Sequence, residues 1–186
     1  MDFLKSQYNI ISIILFVLCI VIAHLVATNN YDFSKNTISD LGAQGYDRKL
    51  IVQTGFLLFG LTITAGVIAN GLSLRTSPIL IYGFCVALTG VFCTKPFFDI
   101  SHINYSETQS NLHSLFAQIA GLSFSIGILA QLFNETDRTG KIIHLVFFVL
   151  IIGLSATFKL LENYQGIAQR FLYLISFLWF INFYKP

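Results

Sequence analysis

Residues 9–28 read NIISIILFVLCIVIAHLVAT and contain no Asp, Glu, Lys or Arg. A helix that crosses a bilayer needs about 20 predominantly apolar residues. The run is continuous and shows no strict alternation of apolar and polar residues, as a transmembrane barrel strand would. The stretch therefore predicts a membrane-spanning helix, and with it an integral membrane protein of the all-α class.

Further apolar stretches follow, separated by helix-breaking or charged residues such as Pro78 and Pro96. In all, the sequence predicts six spans, at about 9–28, 51–74, 78–94, 109–133, 141–158 and 166–183. We expect residues 1–186 to form a single domain, an all-α bundle of six transmembrane helices.

The composition supports this class and excludes others. Charged side chains make up 11% of the 186 residues and hydrophobic ones 55%, whereas a soluble domain carries about 25% charged residues. An ordinary soluble enzyme is therefore excluded. The net charge of +2, with no cluster of basic residues, excludes a nucleic-acid binder, because such a protein needs a basic surface for phosphates. Cys19, Cys85 and Cys93 lie inside predicted spans, where cysteine behaves as a small apolar residue.

Two ionisable residues lie about one turn inside predicted spans. His113 begins a line of i+4 positions that continues with Ala117, Gly121 and Ser125, and small residues at this spacing allow a neighbouring helix to approach. We therefore expect His113 to face the bundle interior, either as a packing residue or as part of a site.

Arg170 lies in the sixth span. It can extend to the surface or pair with a carboxylate on the same face. The candidate carboxylates are those of Asp40, Asp99 and Glu162.

The first loop contains the segment YDFSKNTISDLG at residues 31–42. Ser39 or Asp40 is a suitable N-cap for a short helix at the membrane interface. In that arrangement Ile38 and Leu41 point into the edge of the membrane. The segment then covers one end of the bundle.

Our leading hypothesis is a lipid-binding protein, or one accessory to lipid handling. Ser39, Asp40, His113 and Arg170 form its polar site, on the face of loops one, three and five. The planar guanidinium of Arg170 suits a phosphate head group, because it can donate to two oxygens. Membrane lipids are the expected partners.

Two alternatives remain open at this stage. The first is an intramembrane, metal-dependent lipid hydrolase or transferase, with a metal held by His24, Asp99, His102 and His113. Their spacing is not diagnostic, and the sequence does not favour a metal. The second is a structural subunit of a membrane complex, partnered by other membrane proteins. No motif identifies a cofactor or decides whether the protein is an enzyme.

Several segments together resemble a known family. They are NTISDLGA at residues 36–43, the glycine-rich stretch from Gly55 to Gly60, Gly90-Val-Phe92, His113, and Gly166-x-x-x-Arg170. In this order they resemble a prokaryotic six-span membrane family of unknown function, domain-of-unknown-function family 998. The 36–43 segment is also similar to one in the eukaryotic Frag1/DRAM/Sfk1 proteins, which are associated with lipid remodelling and membrane lipid organisation.

The resemblance implies a six-helix bundle in the plasma membrane, with the 36–43 segment on the non-cytoplasmic side and both termini in the cytoplasm. The charges of the loops do not decide the orientation, because Lys and Arg are almost evenly divided between the two faces. One position departs from the family pattern. Lys95 stands where an acidic residue is expected, and Asp99 follows a few residues later.

Overall fold

The computed structural model describes residues 2–98 and 104–186, and these residues form six α-helices and two short 3-10 turns. The helices are α1 (Asp2–Leu25), α2 (Lys49–Asn70), α3 (Ser77–Val91), α4 (Glu107–Asn134), α5 (Arg138–Leu160) and α6 (Gln165–Asn182). The 3-10 turns are Ser39–Gly42 and Glu162–Tyr164. The all-α class is confirmed, and each predicted segment corresponds to one helix.

Local sequence signals begin and end these helices. Pro78 lies in the first turn of α3, where its missing N–H costs no helical hydrogen bond. The hydroxyl of Ser106 caps α4 by accepting from the Gln109 amide, and the Asp137 carboxylate caps α5 by accepting from the Gly140 amide at 2.9 Å. Gly71, with φ of 97°, follows the last residue of α2.

Four helical segments in the described ranges are long and apolar enough to cross a membrane: Gln7–Leu25, Lys49–Asn70, Glu107–Asn134 and Arg138–Phe158. The apolar helix α3 is shorter, with 15 residues. Most of α5 is exposed in the isolated chain, including Leu145, Val149 and Ile152. Apolar surface of this kind indicates a protein that associates with a membrane.

Each helix packs against the next one in the chain, and α6 returns to contact α1. Neighbours run antiparallel: Tyr82 of α3 contacts Phe124 of α4 at a ring-centroid distance of 4.9 Å, whereas His113, near the start of α4, contacts the last turn of α3. Tyr8 and Tyr184, close to the two chain ends, also meet, with centroids 6.5 Å apart. We call the end of the bundle that holds Tyr8 and Tyr184 the terminal end, and the opposite end the loop-one end.

Buried aromatic rings fill the centre of the bundle. Phe16 of α1 contacts Phe59 of α2 with centroids 5.2 Å apart, and Phe124 of α4 contacts Trp179 of α6 at the same distance. Each such pair contributes about 0.5–1.5 kcal/mol beyond its area burial. Trp179 is fully buried, and its indole N–H donates to His144 Nδ1 at 3.0 Å. Aromatic packing therefore joins helices that are distant in sequence.

Two of the three small residues that follow His113 do not face the interior as expected. Ala117 is exposed, and a Cβ built on Gly121 meets no atom within 4 Å. Ser125, the third, is buried like His113. No described neighbouring helix packs against α4 at Gly121, so the small residue there does not mark a helix contact.

Gly60 gives a test of the helix packing. A Cβ at Gly60 lies 2.3 Å from the Ala87 backbone nitrogen and 2.4 Å from the Gly83 carbonyl oxygen, and backbone atoms cannot move aside cheaply. We expect Gly60→Ala to lower the free energy of unfolding by about 1–3 kcal/mol. Gly121→Ala is the control, because its added methyl meets open space and alanine favours a helix by up to about 1 kcal/mol. Thermal unfolding in detergent measures both, and equal melting temperatures for Gly60→Ala and wild type contradict the packing.

Candidate functional site

Loop one is held against the start of α6 by backbone hydrogen bonds. The amides of Gly166 and Ile167 donate to the carbonyls of Lys35 and Ser34 at 3.1 and 3.2 Å. The first N–H groups of a helix have no partner within it, and here loop one supplies the acceptors. A Cβ on Gly166 lies 2.3 Å from the Asn36 carbonyl oxygen. The contact therefore requires glycine at position 166.

Arg170 completes this attachment from inside the bundle. Its Nη1 donates to the carbonyls of Phe33 at 2.9 Å, Asn36 at 3.1 Å and Gly166 at 2.7 Å. Its guanidinium carbon lies 3.8 Å from the centroid of the Phe33 ring, a cation–π distance. Nε is buried and has no hydrogen-bond partner among the residues that the structure describes. The guanidinium thus joins α6 to the backbone of loop one.

The second guanidinium nitrogen of Arg170 binds His24 and Tyr31. His24 Nδ1 lies 2.7 Å from the Ile20 carbonyl, which can only accept, so Nδ1 carries the hydrogen. His24 Nε2 is then free to accept from Arg170 Nη2 at 2.6 Å. Nη2 also donates to the hydroxyl of Tyr31, which itself donates to the Thr37 carbonyl at 2.9 Å. Burial raises the pKa of Tyr31 to about 12 although Arg170 opposes the shift, so this hydroxyl keeps its proton.

Thr37 and Asp40 hydrogen-bond to each other at the short turn in loop one. Asp40 Oδ2 accepts from the Thr37 amide at 2.8 Å, and the Asp40 amide donates to the Thr37 hydroxyl at 3.2 Å. This reciprocal arrangement resembles a capping box. Ile38 occupies the N-cap position of the Ser39–Gly42 turn, so the prediction of Ser39 or Asp40 as the N-cap is wrong. The expectation that Ile38 and Leu41 point into the membrane edge is wrong: they are 2% and 0% exposed and pack in the core, because the turn lies over the open end of the bundle.

Two glutamines fix loop one to other helices. Gln169 Oε1 accepts from the Ile38 amide at 2.6 Å, and its Nε2 donates to the Ser39 hydroxyl at 3.3 Å. The Gln44 side chain exchanges two hydrogen bonds with the backbone of Ser106, of 2.9 and 2.7 Å. Loop one is therefore tied both to α6 and to the residue that caps α4.

A cleft of about 470 Å³ opens beside this turn; we call it the loop-one cleft. Its walls come from loop one, the segment after α3, the start of α4, the end of α5 and the start of α6. Ala117 and Phe158 supply apolar surface. The charged lining residues are Lys35, Asp40, Lys95 and Glu162, and the polar ones include Asn36, Ser39, His113, Ser114, Gln165 and Gln169.

His113 is buried and lines this cleft. Nδ1 lies 2.8 Å from the Phe92 carbonyl and 3.1 Å from the Thr89 carbonyl, and both can only accept, so Nδ1 carries the hydrogen. In the neutral ring, Nε2 is the acceptor, and no described residue hydrogen-bonds to it. The end of α3 therefore fixes the His113 ring through Nδ1 and leaves Nε2 without a partner among the described residues.

Asp40 is a half-buried carboxylate on the cleft wall. Burial raises its pKa, and hydrogen bonds from Thr37 together with the nearby His113 partly oppose that shift. Within the described ranges the ion pair that forms is Lys185–Glu135, at the terminal end. The charged side chains of the loop-one cleft are therefore not neutralised by one another.

The structure thus brings together three of the four predicted site residues. Ser39, Asp40 and His113 line the loop-one cleft, whereas Arg170 lies behind loop one and not on the cleft wall. Among the described residues Arg170 has no ion pair with Asp40 or Glu162. Its nitrogens Nη1 and Nη2 are occupied by loop one, His24 and the α6 backbone.

The alternative metal site involves residues outside the described ranges. Asp99 and His102 are these residues. Both ring nitrogens of His24 are hydrogen-bonded, so His24 can bind a metal only by releasing Arg170. In the described part of the chain no group of three or more His, Cys, Asp or Glu side chains has the arrangement of a metal site.

Sequence reasoning did not place several other polar residues at the site, among them Lys35, Lys95, Gln165 and Gln169. A signal for the glutamines was present, because Gln165, Gln169 and Arg170 are polar residues in or beside one predicted span, and such residues mark interior or functional positions. Lys95 attracted notice only as a departure from a family pattern. Its place on the cleft wall depends on the path of the chain after α3.

The fold and the cleft define a helical membrane protein with a polar site at one end of an apolar bundle. In a comparison with known families, residues 10–183 match the model described as "Protein of unknown function (DUF998)". The chain belongs to this family. No curated protein and no solved structure matches it.

Arg170→Lys tests the attachment of loop one. A lysine ammonium cannot reproduce a planar fork that reaches loop carbonyls, His24 and Tyr31, and a hydrogen bond to a charged group contributes about 1.5–3 kcal/mol. We expect amide hydrogen exchange in residues 31–38 and 162–168 to accelerate about tenfold or more. Arg138→Lys, at an exposed position, is the control. Unchanged exchange in these segments means that Arg170 does not hold loop one.

Proposed function

We propose that this protein spans the plasma membrane with all six helices and binds the head group of a phospholipid in the loop-one cleft. The observation that carries the proposal is the cleft itself. It is polar and lies at the end of an otherwise apolar bundle. Its apolar wall consists of Ala117 of α4 and Phe158 of α5. A lipid needs this combination, because its head group is polar and its chains remain in the hydrocarbon.

The geometry of the bundle supports six crossings. Helices α3 and α6 have 15 and 18 residues, or about 22 and 27 Å at a rise of about 1.5 Å per residue. Each lies antiparallel between longer apolar neighbours, and a hydrocarbon core is about 30 Å thick. The bundle interior accommodates Arg170, because its polar partners come from loop one and α1.

In this proposal the residues of the polar site have two different roles. Asp40, Ser39 and the Nε2 atom of His113 contact the head group, together with Lys35 and Lys95. Arg170 is a positioning residue: it holds loop one, which supplies one wall of the cleft. The role of phosphate ligand, which the sequence suggested for Arg170, is assigned instead to the lysines, because Lys35 and Lys95 line the cleft and Arg170 does not.

The proposed orientation places loop one outside the cell and both termini in the cytoplasm. The test uses a variant in which Cys19, Cys85 and Cys93 are replaced. In this background we expect the cysteine introduced by Asn30→Cys to react with a membrane-impermeant maleimide in intact cells. A cysteine at Thr136→Cys, in the α4–α5 connection, reacts only after permeabilisation. Both original residues are exposed. The reverse pattern contradicts the orientation, and labelling of both in intact cells contradicts an odd number of crossings between them.

Filling the cleft tests lipid binding. Ala117 is an exposed residue on the cleft wall, so Ala117→Trp occupies the space without disturbing the core. We expect native mass spectrometry of gently extracted protein to show about tenfold less bound phospholipid than wild type. Ala156→Trp is the matched control, because Ala156 is exposed on α5 and does not line the cleft. If both variants retain the same lipid as wild type, the cleft is not the lipid site.

A further inference from the structure

The loop-one cleft carries charges of both signs. Lys35 of loop one and Lys95 of the segment after α3 are exposed at its rim, Asp40 is half-buried in its wall, and Glu162 is exposed at the α5–α6 connection. None of the four is in an ion pair with a described residue. A ligand that carries only positive or only negative charge is repelled either by the two lysines or by the two carboxylates. The wall is complementary to a ligand that carries both a cation and an anion.

Asp40 places a specific demand on the cation. Its Oδ2 already accepts one hydrogen bond from the Thr37 amide, and apolar Ile38 and Leu41 are buried beside it in the same turn. A carboxylate in partly apolar surroundings is costly unless a hydrogen-bonding cation neutralises it. A primary ammonium supplies three N–H donors. A quaternary ammonium supplies none.

The neutral groups of the wall favour the same cation. The Ser39 hydroxyl, the His113 Nε2 atom and the side-chain oxygen of Gln165 can each accept a hydrogen bond, and all three residues line the cleft. His113 Nε2 is an acceptor because Nδ1 donates to the α3 carbonyls. An ammonium beside Asp40 therefore has neutral acceptors as well as the carboxylate. The lysines at the rim provide the complementary donors for a phosphate.

We infer that the loop-one cleft selects phospholipids whose head group carries a primary ammonium as well as a phosphate, as in phosphatidylethanolamine. The ammonium binds Asp40, and the phosphate binds Lys35 and Lys95. This inference rests on the proposed function, since it names the lipid class for the same site. A head group with two carbons between amine and phosphate is small enough for a cleft of about 470 Å³.

The test compares three phospholipids with identical acyl chains on the full chain in detergent: phosphatidylethanolamine, phosphatidylcholine and phosphatidylglycerol. Native mass spectrometry gives the dissociation constant of each. We expect phosphatidylethanolamine to bind at least tenfold more tightly than the other two. Free phosphoethanolamine, as a competitor, tests whether a soluble molecule of the same chemistry is the ligand.

Asp40→Asn isolates the contribution of the carboxylate. The amide keeps an oxygen that can accept from the Thr37 amide, so the cap of the turn is retained, but the negative charge is lost. We expect phosphatidylethanolamine binding to fall to the level of phosphatidylcholine. Glu135→Gln, the same charge change at the terminal end, leaves the preference unchanged. Lys35→Gln with Lys95→Gln weakens all three lipids and leaves the preference for the amine.

The outcomes separate the inference from the proposed function. Equal binding of the three lipids, or a preference that survives Asp40→Asn, overturns the inference, while loss of lipid in Ala117→Trp still supports a lipid site. If phospholipid binding is the same in Ala117→Trp as in wild type, both the inference and the proposed function are overturned. If free phosphoethanolamine binds in an Asp40-dependent manner and phosphatidylethanolamine does not bind, the cleft selects for both charges as inferred. In that case the ligand is a soluble molecule, and the proposal of a lipid is overturned.

Discussion

The attachment of loop one to the start of α6 is the constraint on which the loop-one end depends. It joins a backbone segment near residue 35 to a helix that begins 130 residues later. Gly166 permits the close approach, and Arg170 fixes the carbonyls that approach it. Loop one, held in this way, places Ile38 and Leu41 in the core and Asp40 on the cleft wall. The polar site exists because this segment is folded back on the bundle.

The same attachment explains how an arginine is accommodated in an apolar helix. A buried guanidinium is costly unless its N–H groups are hydrogen-bonded. Backbone carbonyls of Phe33, Asn36 and Gly166, a neutral His24 and the Tyr31 hydroxyl supply acceptors. The charge is thus dispersed over dipoles and an aromatic face rather than opposed by a carboxylate. Arg170 has a structural role, and Asp40 remains without a cation from the described protein residues.

Much of the fold could be predicted from the sequence, because hydropathy and local breakers determine where helices begin and end. The predicted segments around Pro78, Ser106 and Gly166 correspond to helices in the structure. The directions of individual side chains could not be predicted as well. Ala117 and Gly121 are exposed although their spacing from His113 suggested a packing face, since small residues mark close helix contacts only where a neighbouring helix is present.

The candidate site was predictable in part for a similar reason. Ser39, Asp40 and His113 attract attention as polar residues near apolar spans, and they line one cleft. The role of Arg170 depends on contacts over more than 130 residues of sequence, with carbonyl groups that every residue possesses. No sequence pattern identifies which carbonyls these are. The contribution of Lys95 likewise depends on how the chain turns after α3.

The two ends of the bundle differ in how their charged side chains are partnered. At the terminal end, Arg75 donates to the side-chain oxygen of Gln131, Gln131 donates to the Lys185 carbonyl at 2.9 Å, and Lys185 pairs with Glu135 at 3.0 Å. These charged and amide groups are partnered within the protein, although the Tyr8 and Tyr184 hydroxyls and Asn9 Oδ1 at the same end are buried without a partner among the described residues. At the loop-one end, the ordered hydrogen bonds hold the backbone, while the described charges on the cleft wall remain unpaired with each other. Three of these charges are exposed to solvent, so the half-buried Asp40 is the one whose desolvation the proposed ligand would offset.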